Sequence, residues 1–370
     1  MSENERRIYK PSRQPVLFQP IAFRSVTARN RIMLSPMCQY SAEDGMPNEW
    51  HVAHLTARAA GGVGILCVEA THVSPEGRIT PNCLGLWNDD QRDALARIAA
   101  MARRLGAVPA IQIGHAGRKA SVSRPWEGTK PIPVGAGGWE TIGPSALPQS
   151  PDAPPPRAMD LGEIARVTED FRLAARRARD AGFAVLEVHA AHGYLLHAFL
   201  SPLSNAREDA YGGPLENRAR FLMEVLDAVR SEWPNDLPLF VRISATDWVE
   251  GGLTIADSVA LARRLAARGD VDLIDCSSGG VSAAQRIHPY PGYQVPFAER
   301  IRRETGIATG AVGLISAPQQ AEEIVAGGRA DLVVLGRVML FDPNWPLHAA
   351  NALRAEGVSW PVQYERANIF

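Results

Sequence analysis

The sequence predicts a single closed (β/α)8 barrel, a TIM barrel, and three observations carry that prediction. Eight short runs of β-branched and apolar residues recur at 31–34, 63–68, 108–113, 183–188, 239–243, 272–276, 307–309 and 332–335. Helical patterns lie between them. The runs are near-continuously apolar, as parallel strands buried on both faces are. Eight β/α units fit a closed barrel better than a doubly wound sheet. No Gly-x-Gly-x-x-Gly follows a strand, which weakens the dinucleotide-fold alternative.

Taken in order, residues 1–14 read as a flexible arm on one domain spanning 1–370. Alternating Val16, Phe18, Ile21, Phe23 and Val26 predict a hairpin that closes the barrel's bottom. Residues 89–105 have helical spacing. The third strand leads into 125–156, where nine prolines and five glycines in thirty-two residues leave no place for a helix or a central strand. A loop of that length is a lid, a binding loop or disordered, and its packing residues favour a partly ordered cap. Following a strand, it should cap the barrel's C-terminal face, anchored by Trp126, Ile132, Val134, Trp139 and Ile142. The clearest helix is 161–180, where Leu161, Ile164, Val167, Phe171, Ala174 and Ala178 fall three or four apart, with Asp160 to cap its start and Gly182 past its end. Similar patterns occupy 216–232, 255–267, 318–326 and 345–355, and 358–370 reads as a tail.

Composition narrows the function. A hydrophobic fraction of 46% with 21% charged residues excludes a disordered chain, and a net charge of −1 gives no field for nucleic acid or an anionic membrane. The longest wholly apolar run, 59–68, is too short to span a bilayer. The polar N-terminus has no apolar signal core, so a cytoplasmic protein is expected. Cys38, Cys67, Cys83 and Cys276 form no C-x-x-C and are too widely spaced for a zinc ribbon or an iron–sulfur cluster. The three lysines, Lys10, Lys119 and Lys130, lie outside the strands, which excludes a Schiff-base barrel aldolase.

Barrel chemistry gathers where strands end. Those ends carry Ser35-Pro36-Met37-Cys38-Gln39-Tyr40, Glu69-Ala70-Thr71, Gln112 with His115, His189-Ala190-Ala191-His192-Gly193-Tyr194, Arg242, Ser277-Ser278-Gly279-Gly280, Gly310-Ala311-Val312-Gly313 and Gly336-Arg337. Glycines after the last three strands, with Arg337, point to a phosphate site built from backbone N–H groups; turn-making glycines are the plainer reading of any one alone. His189 and His192 are spaced i, i+3 with only alanines between, unlike the i, i+4 zinc pair with its glutamate, so no metal is expected. Two histidines and a tyrosine at one strand end suit donors to a substrate oxygen beside a phenolic proton donor.

These residues resemble the Old Yellow Enzyme family of FMN-dependent ene-reductases, in the branch with cysteine where the founding members have threonine near the flavin. The resemblance covers 15–370. It is carried by Leu17-Phe18, Asn30-Arg31-Ile32, Ser35-Pro36-Met37-Cys38, Gln112 through Arg118, His189 through Leu196, Phe199-Leu200-Ser201-Pro202, Asn205-Arg207-Asp209-Tyr211-Gly212-Gly213 and Glu216-Asn217-Arg218. It implies non-covalent FMN lined by Ser35, Pro36, Met37, Cys38 and Ala70, with Gln112 on its pyrimidine edge and Arg242 by N1/O2. Gly336 and Arg337 would hold the phosphate, and the strand-end reading adds Gly313. His189 and His192 would bind a carbonyl or nitro oxygen, and Tyr40 would line the substrate pocket. The implied reaction passes hydride from NADPH (or NADH) to flavin, then from N5 to Cβ of an enone, enal or nitro compound, with Tyr194 protonating Cα. Arg366, normally a solvated tail charge, would act in the neighbouring subunit's site, implying a homodimer or a higher even-numbered oligomer. The rivals are another FMN barrel oxidoreductase, the longer dienoyl-CoA reductase type, a silent flavin scaffold and a metal-dependent barrel hydrolase.

Overall fold

A computed structural model describes residues 14–151 and 153–367. The arm expected over 1–14 lies outside them apart from Gln14, as do the last three residues of the tail. Eight parallel strands form the barrel: β1 (Ile32–Leu34), β2 (Ile65–His72), β3 (Val108–Gly114), β4 (Val185–Ala190), β5 (Leu239–Ser244), β6 (Leu273–Ser277), β7 (Ala308–Ala311) and β8 (Leu332–Leu335). They pair in chain order, and β8 closes on β1 with Val333 opposite Ile32. All eight expected strands are present.

Helices separate them. Asp160 accepts the Glu163 N–H at 2.8 Å and starts Leu161–Asp180 as expected. Besides the short helices Leu195–Leu200 and Arg337–Phe341, two full helices, Glu49–Ala60 and Val295–Thr305, escaped the periodicity reading. The first buries His51, His54 and Arg58 on its inner face, so its apolar stripe is broken, and the second buries only Val295, Ala298 and Ile301. The pattern over 216–232 is two helices, Leu215–Arg218 and Arg220–Glu232, and the last barrel helix stops at Ala352.

Side chains alternate along a strand, so residues two apart share a face. The outer face, with Leu66, Ile111, Leu186 and Val241, joins the helices' apolar stripes in the main core. On the lower inner face Met33, Ile65, Ala110, Val185, Phe240 and Leu273 form a separate apolar plug. The hairpin, Ile21–Phe23 paired antiparallel with Val26–Ala28, closes the barrel from below, and Phe23 meets Phe240 edge-on at 5.1 Å between centroids. Two residues further along the same strands the inner face turns polar: Ser35, Gln112, Glu187, Arg242 and Asp275, all buried.

The loop after β3 carries only short structure outside the barrel: a 3-10 turn at Pro125–Glu127 and a two-residue strand, Ile142–Gly143, paired with Arg157–Ala158. Of its expected anchors, Ile142 is buried and Ile132 and Trp139 are half-buried, but Trp126 and Val134 are exposed. Trp139 holds it best, donating its indole N–H to the Glu76 carbonyl at 2.8 Å. Its ring also lies 5.1 Å from the Arg78 guanidinium, which has Trp87 at 5.3 Å as a second aromatic neighbour. Among the described residues no helix is long and apolar enough to cross a membrane.

Candidate active site

After β4 the chain turns sharply. His192 and Gly193 both adopt left-handed backbone, at φ +61° and +75°. A Cβ at Gly193 would lie 2.3 Å from the Gly280 carbonyl oxygen, so only glycine fits there. A left-handed non-glycine residue costs about 1–3 kcal/mol and persists only when its surroundings fix it. They do here. The His192 N–H donates to Ser244 Oγ at 2.9 Å, and the Gly193 N–H to His197 Nδ1 at 2.7 Å. Lys119 Nζ donates to the His192 carbonyl at 2.8 Å. Behind the turn, His197 Nε2 lies 3.0 Å from Asp247, which also accepts from Ser201 at 2.6 Å.

The turn brings three rings together edge-on. Centroids are 5.1 Å apart for His189–His192, 5.0 Å for His189–Tyr194 and 6.4 Å for His192–Tyr194. His189 Nδ1 accepts the Ala191 N–H at 3.2 Å, so a neutral ring carries its proton on Nε2. His192 Nε2 lies 2.7 Å from Ser277 Oγ. Burial first, and the Arg242 charge second, hold both histidines well below their ordinary pKa, so both are neutral. Burial holds Tyr194 well above its own, so it keeps its proton.

Strand register sets His189, Arg242 and Asp275 side by side across β4, β5 and β6. Arg242 Nε lies 2.9 Å from Asp275, and Arg242 Nη2 donates to Ser35 Oγ at 3.2 Å. Gln112 donates to Glu187 at 2.8 Å. Burial, with Asp275's charge adding, pushes Glu187 up to about 8, so Asp275 neutralises Arg242 while Glu187 stays protonated. Glu187 and Asp275 were missing from the expected site. The signal was a carboxylate inside an apolar run, which is costly unless paired or protonated.

After β1, Ser35 and Pro36 are buried and Met37, Cys38 and Tyr40 half-buried. Glu69 accepts the Gln39 N–H at 2.9 Å and faces His51 at 3.5 Å, which fixes this segment from behind. Burial, then Glu69's charge, keeps the Cys38 thiol protonated. Ala70 is buried beside Glu69. At the β7 and β8 ends, Gly313 is left-handed at φ +128°, Gly336 is half-buried and Arg337 exposed. A Cβ on Gly336 would narrow the mouth toward Met37 Sδ, 3.5 Å away. A buried cation, an amide and a hydroxyl below, with bare glycine backbone and an exposed arginine at the rim, suit a planar oxygen-rich ring bearing a phosphate.

Between this mouth and the capping loop lies a cavity of about 1220 Å³, walled in part by Tyr40, Lys119, Ile132 and Tyr194. Lys119 is the other residue the sequence reading missed. It does lie outside the strands, but the turn Gly117–Lys119 after β3 brings it into the cavity wall. Arg366 does not wall this cavity; it is exposed on the 3-10 turn Val362–Ala367.

The model of a family described as "NADH:flavin oxidoreductase / NADH oxidase family" matches residues 16–356. An NADPH dehydrogenase of Geobacillus thermodenitrificans (strain NG80-2) is 51% identical over 353 residues, 95% of this chain and 98% of that protein. Among solved structures, the old yellow enzyme homologue from Zymomonas mobilis superposes with a TM-score of 0.75 at 27% identity, over 91% of this chain and 93% of that one. A 2-naphthoyl-CoA reductase in complex with 2-naphthoyl-CoA gives 0.82 at 28% identity over 91% of this chain, which spans only 52% of it. Near-complete coverage at this identity, on a barrel whose upper layer suits a flavin, makes the chain a member of the NADH:flavin oxidoreductase / NADH oxidase family, an FMN-dependent, Old Yellow Enzyme-type oxidoreductase that takes its electrons from NADPH or NADH.

Proposed function

We propose that the protein reduces the activated C=C bond of α,β-unsaturated carbonyl and nitro compounds. The observation that carries this reading is the ring cluster: two neutral imidazoles packed edge-on around the protonated phenol of Tyr194, which itself walls the cavity of about 1220 Å³. Ser35, Pro36, Met37, Cys38 and Ala70 would line the FMN ring, Gln112 and Arg242 its pyrimidine edge, and Gly313, Gly336 and Arg337 its phosphate. When bound, FMN supplies the hydride chemistry, accepting from the reduced nicotinamide and giving to the substrate. His189 through Nε2–H, and His192 through the nitrogen that Ser277 leaves free, donate to the substrate oxygen. Being neutral, they stabilise developing negative charge without surrendering a proton, and such donors contribute about 10²–10³ in rate each. Tyr194 delivers the proton to Cα, and Tyr40 bounds the substrate.

Arg366 acts, on this proposal, in the site of a second copy. Its own turn supports that reading: Val362 is 71% and Tyr364 47% exposed, apolar surface that a partner would cover. A monomer at working concentration would contradict it.

Stopped-flow separation of the half-reactions tests the clamp. His189→Ala and His192→Ala should each weaken binding of a phenol to oxidised enzyme, while reduction by NADPH changes little. Unchanged phenol affinity in both variants overturns the oxygen-clamp assignment.

A further inference from the structure

Lys119 and its neighbour Arg118 are two cations drawn inward, yet among the described residues each side chain bonds only main-chain carbonyls. Arg118 donates to Val281, to Leu147 at 3.0 Å and to Pro148 at 3.2 Å. Lys119 Nζ donates to His192 at 2.8 Å and to Gly280 at 2.9 Å. Tying the capping loop, the β4 turn and the loop after β6 together needs donors. It does not need charge, and a desolvated cation bonded to no carboxylate is costly. The group facing the Lys119 ammonium is the Tyr194 ring, with its centroid 5.2 Å away.

We propose that Lys119 is the electrostatic partner of Tyr194: its ammonium is the counter-charge for the phenolate that Tyr194 becomes when it protonates the substrate. This rests on Tyr194 being the proton donor. In that step the Tyr194 O–H bond breaks, the electron pair of the substrate's enolate forms the Cα–H bond, and the negative charge passes to Oη. Water entering the cavity returns the proton. Uncompensated, a buried phenolate opposes the transfer; beside an ammonium it does not.

The groups acting on each partner are these, Arg242 being the second cation that bears on Tyr194. Burial holds Tyr194 well above its ordinary pKa, with Cys38, Tyr40 and Cys83 adding and Arg242 opposing. Burial, with the Arg118 charge adding, lowers Lys119 to about 8. Asp247 acts on Arg118, and the Lys119 charge in turn acts on His189 and His192. The sign follows. The ammonium is present below about pH 8 and lost as pH rises through it, so the protonation step slows there.

The test uses holoenzyme carrying Lys119→Gln, which keeps a donor for the carbonyls without charge, or Lys119→Arg, whose charge does not titrate. Reduced enzyme is mixed with an enone across pH, and phenol affinity is measured alongside. A fluorinated tyrosine at position 194, ionising within the accessible range, reports its own titration by 19F NMR. Lys119→Gln should slow enone reduction by about 10–100-fold, part of what a general acid contributes. Its phenol affinity should stay within about twofold. It should raise the pKa of residue 194, leaving it less ionised at a given pH, and add no loss on Tyr194→Phe. Lys119→Arg should restore the rate and remove the fall above pH 8. An unmoved ionisation, or an equal slowdown on Tyr194→Phe, overturns the proposal, and so does phenol binding lost in step with rate, which marks a carbonyl clasp alone. Should Tyr194→Phe itself be as fast as wild type, the proton-donor reading falls; should it be slow while Lys119→Gln is not, only the Lys119 proposal does.

Discussion

The lower and upper halves of the barrel's inner face stand on the same eight strands and follow the same two-residue alternation, yet they are chemically opposite. Below, Met33, Phe240 and Leu273 interlock with Phe23 from the hairpin in a dry plug. Above, on the same strands, Arg242 donates to Ser35 and pairs in charge with Asp275. The lower half gains from burial at about 25 cal/mol per Å² of apolar surface. The upper half bears the desolvation of a cation and two carboxyl groups, which is tolerable only because Asp275 pairs with Arg242 and Glu187 keeps its proton. The difference teaches that the two levels are held by different forces within one barrel, so truncation of the plug should cost stability at any pH, while the polar layer's contribution should change with pH.

The largest expected effect lies below. Phe240 is wholly buried, and Phe240→Ala leaves a cavity against Phe23. It should cost about 3–5 kcal/mol of stability, read by denaturant unfolding. Protein that remains folded should bind FMN and phenols as wild type does. A variant of full stability with altered flavin binding would break the division by height.

That division also explains what was legible in the sequence. All eight strands were readable because both of their faces are apolar over most of their length. The helix Glu49–Ala60 was not, because His51, His54 and Arg58 occupy positions where an apolar stripe is sought. In the site, residues placed just past the strand ends were found, and the His189–Tyr194 turn is compact enough to be read as a unit. Glu187 and Asp275 lie within strands, level with Gln112 and Arg242, but no motif singles them out from the apolar runs around them. Lys119 was set aside because position relative to a strand does not say where a four-carbon side chain ends. Trp126 was read as an anchor of the cap, but at 63% exposed it meets only Tyr40 edge-on and its own loop's Arg124, and of the expected anchors Trp139 is the one that ties the loop down.

A smaller effect sharpens the upper half. Glu187 shifts from an ordinary 4.5 when unfolded to about 8 when folded, so the folded state binds the extra proton. Stability from this group is full below about 4.5 and declines as pH rises through 8. Glu187→Gln keeps an acceptor for Gln112 and cannot ionise. Its unfolding free energy should therefore be flatter across that window, with the difference from wild type largest on the alkaline side. Parallel pH profiles would show instead that Glu187 is ionised and held by Arg242.

The smallest effect concerns Cys38, half-buried against the small apolar cluster on which Tyr40 and Tyr194 also pack. A half-buried cysteine is ordinarily packing and nothing more. Here the thiol is held protonated by burial and by Glu69, which leaves an S–H able to donate. If that S–H meets the flavin edge, Cys38→Ala removes one weak hydrogen bond to a group whose charge changes on reduction. A bond of about 0.5–1.5 kcal/mol, felt by one redox state only, corresponds to roughly 10–30 mV in a two-electron midpoint. Cys38→Ser, a stronger donor of similar size, should move the potential differently from Cys38→Ala, because packing is nearly matched and hydrogen bonding is not. Spectroelectrochemical titration of both variants separates the two roles. Potentials equal to wild type in both leave Cys38 with packing alone, and place the edge of the reactive layer above it.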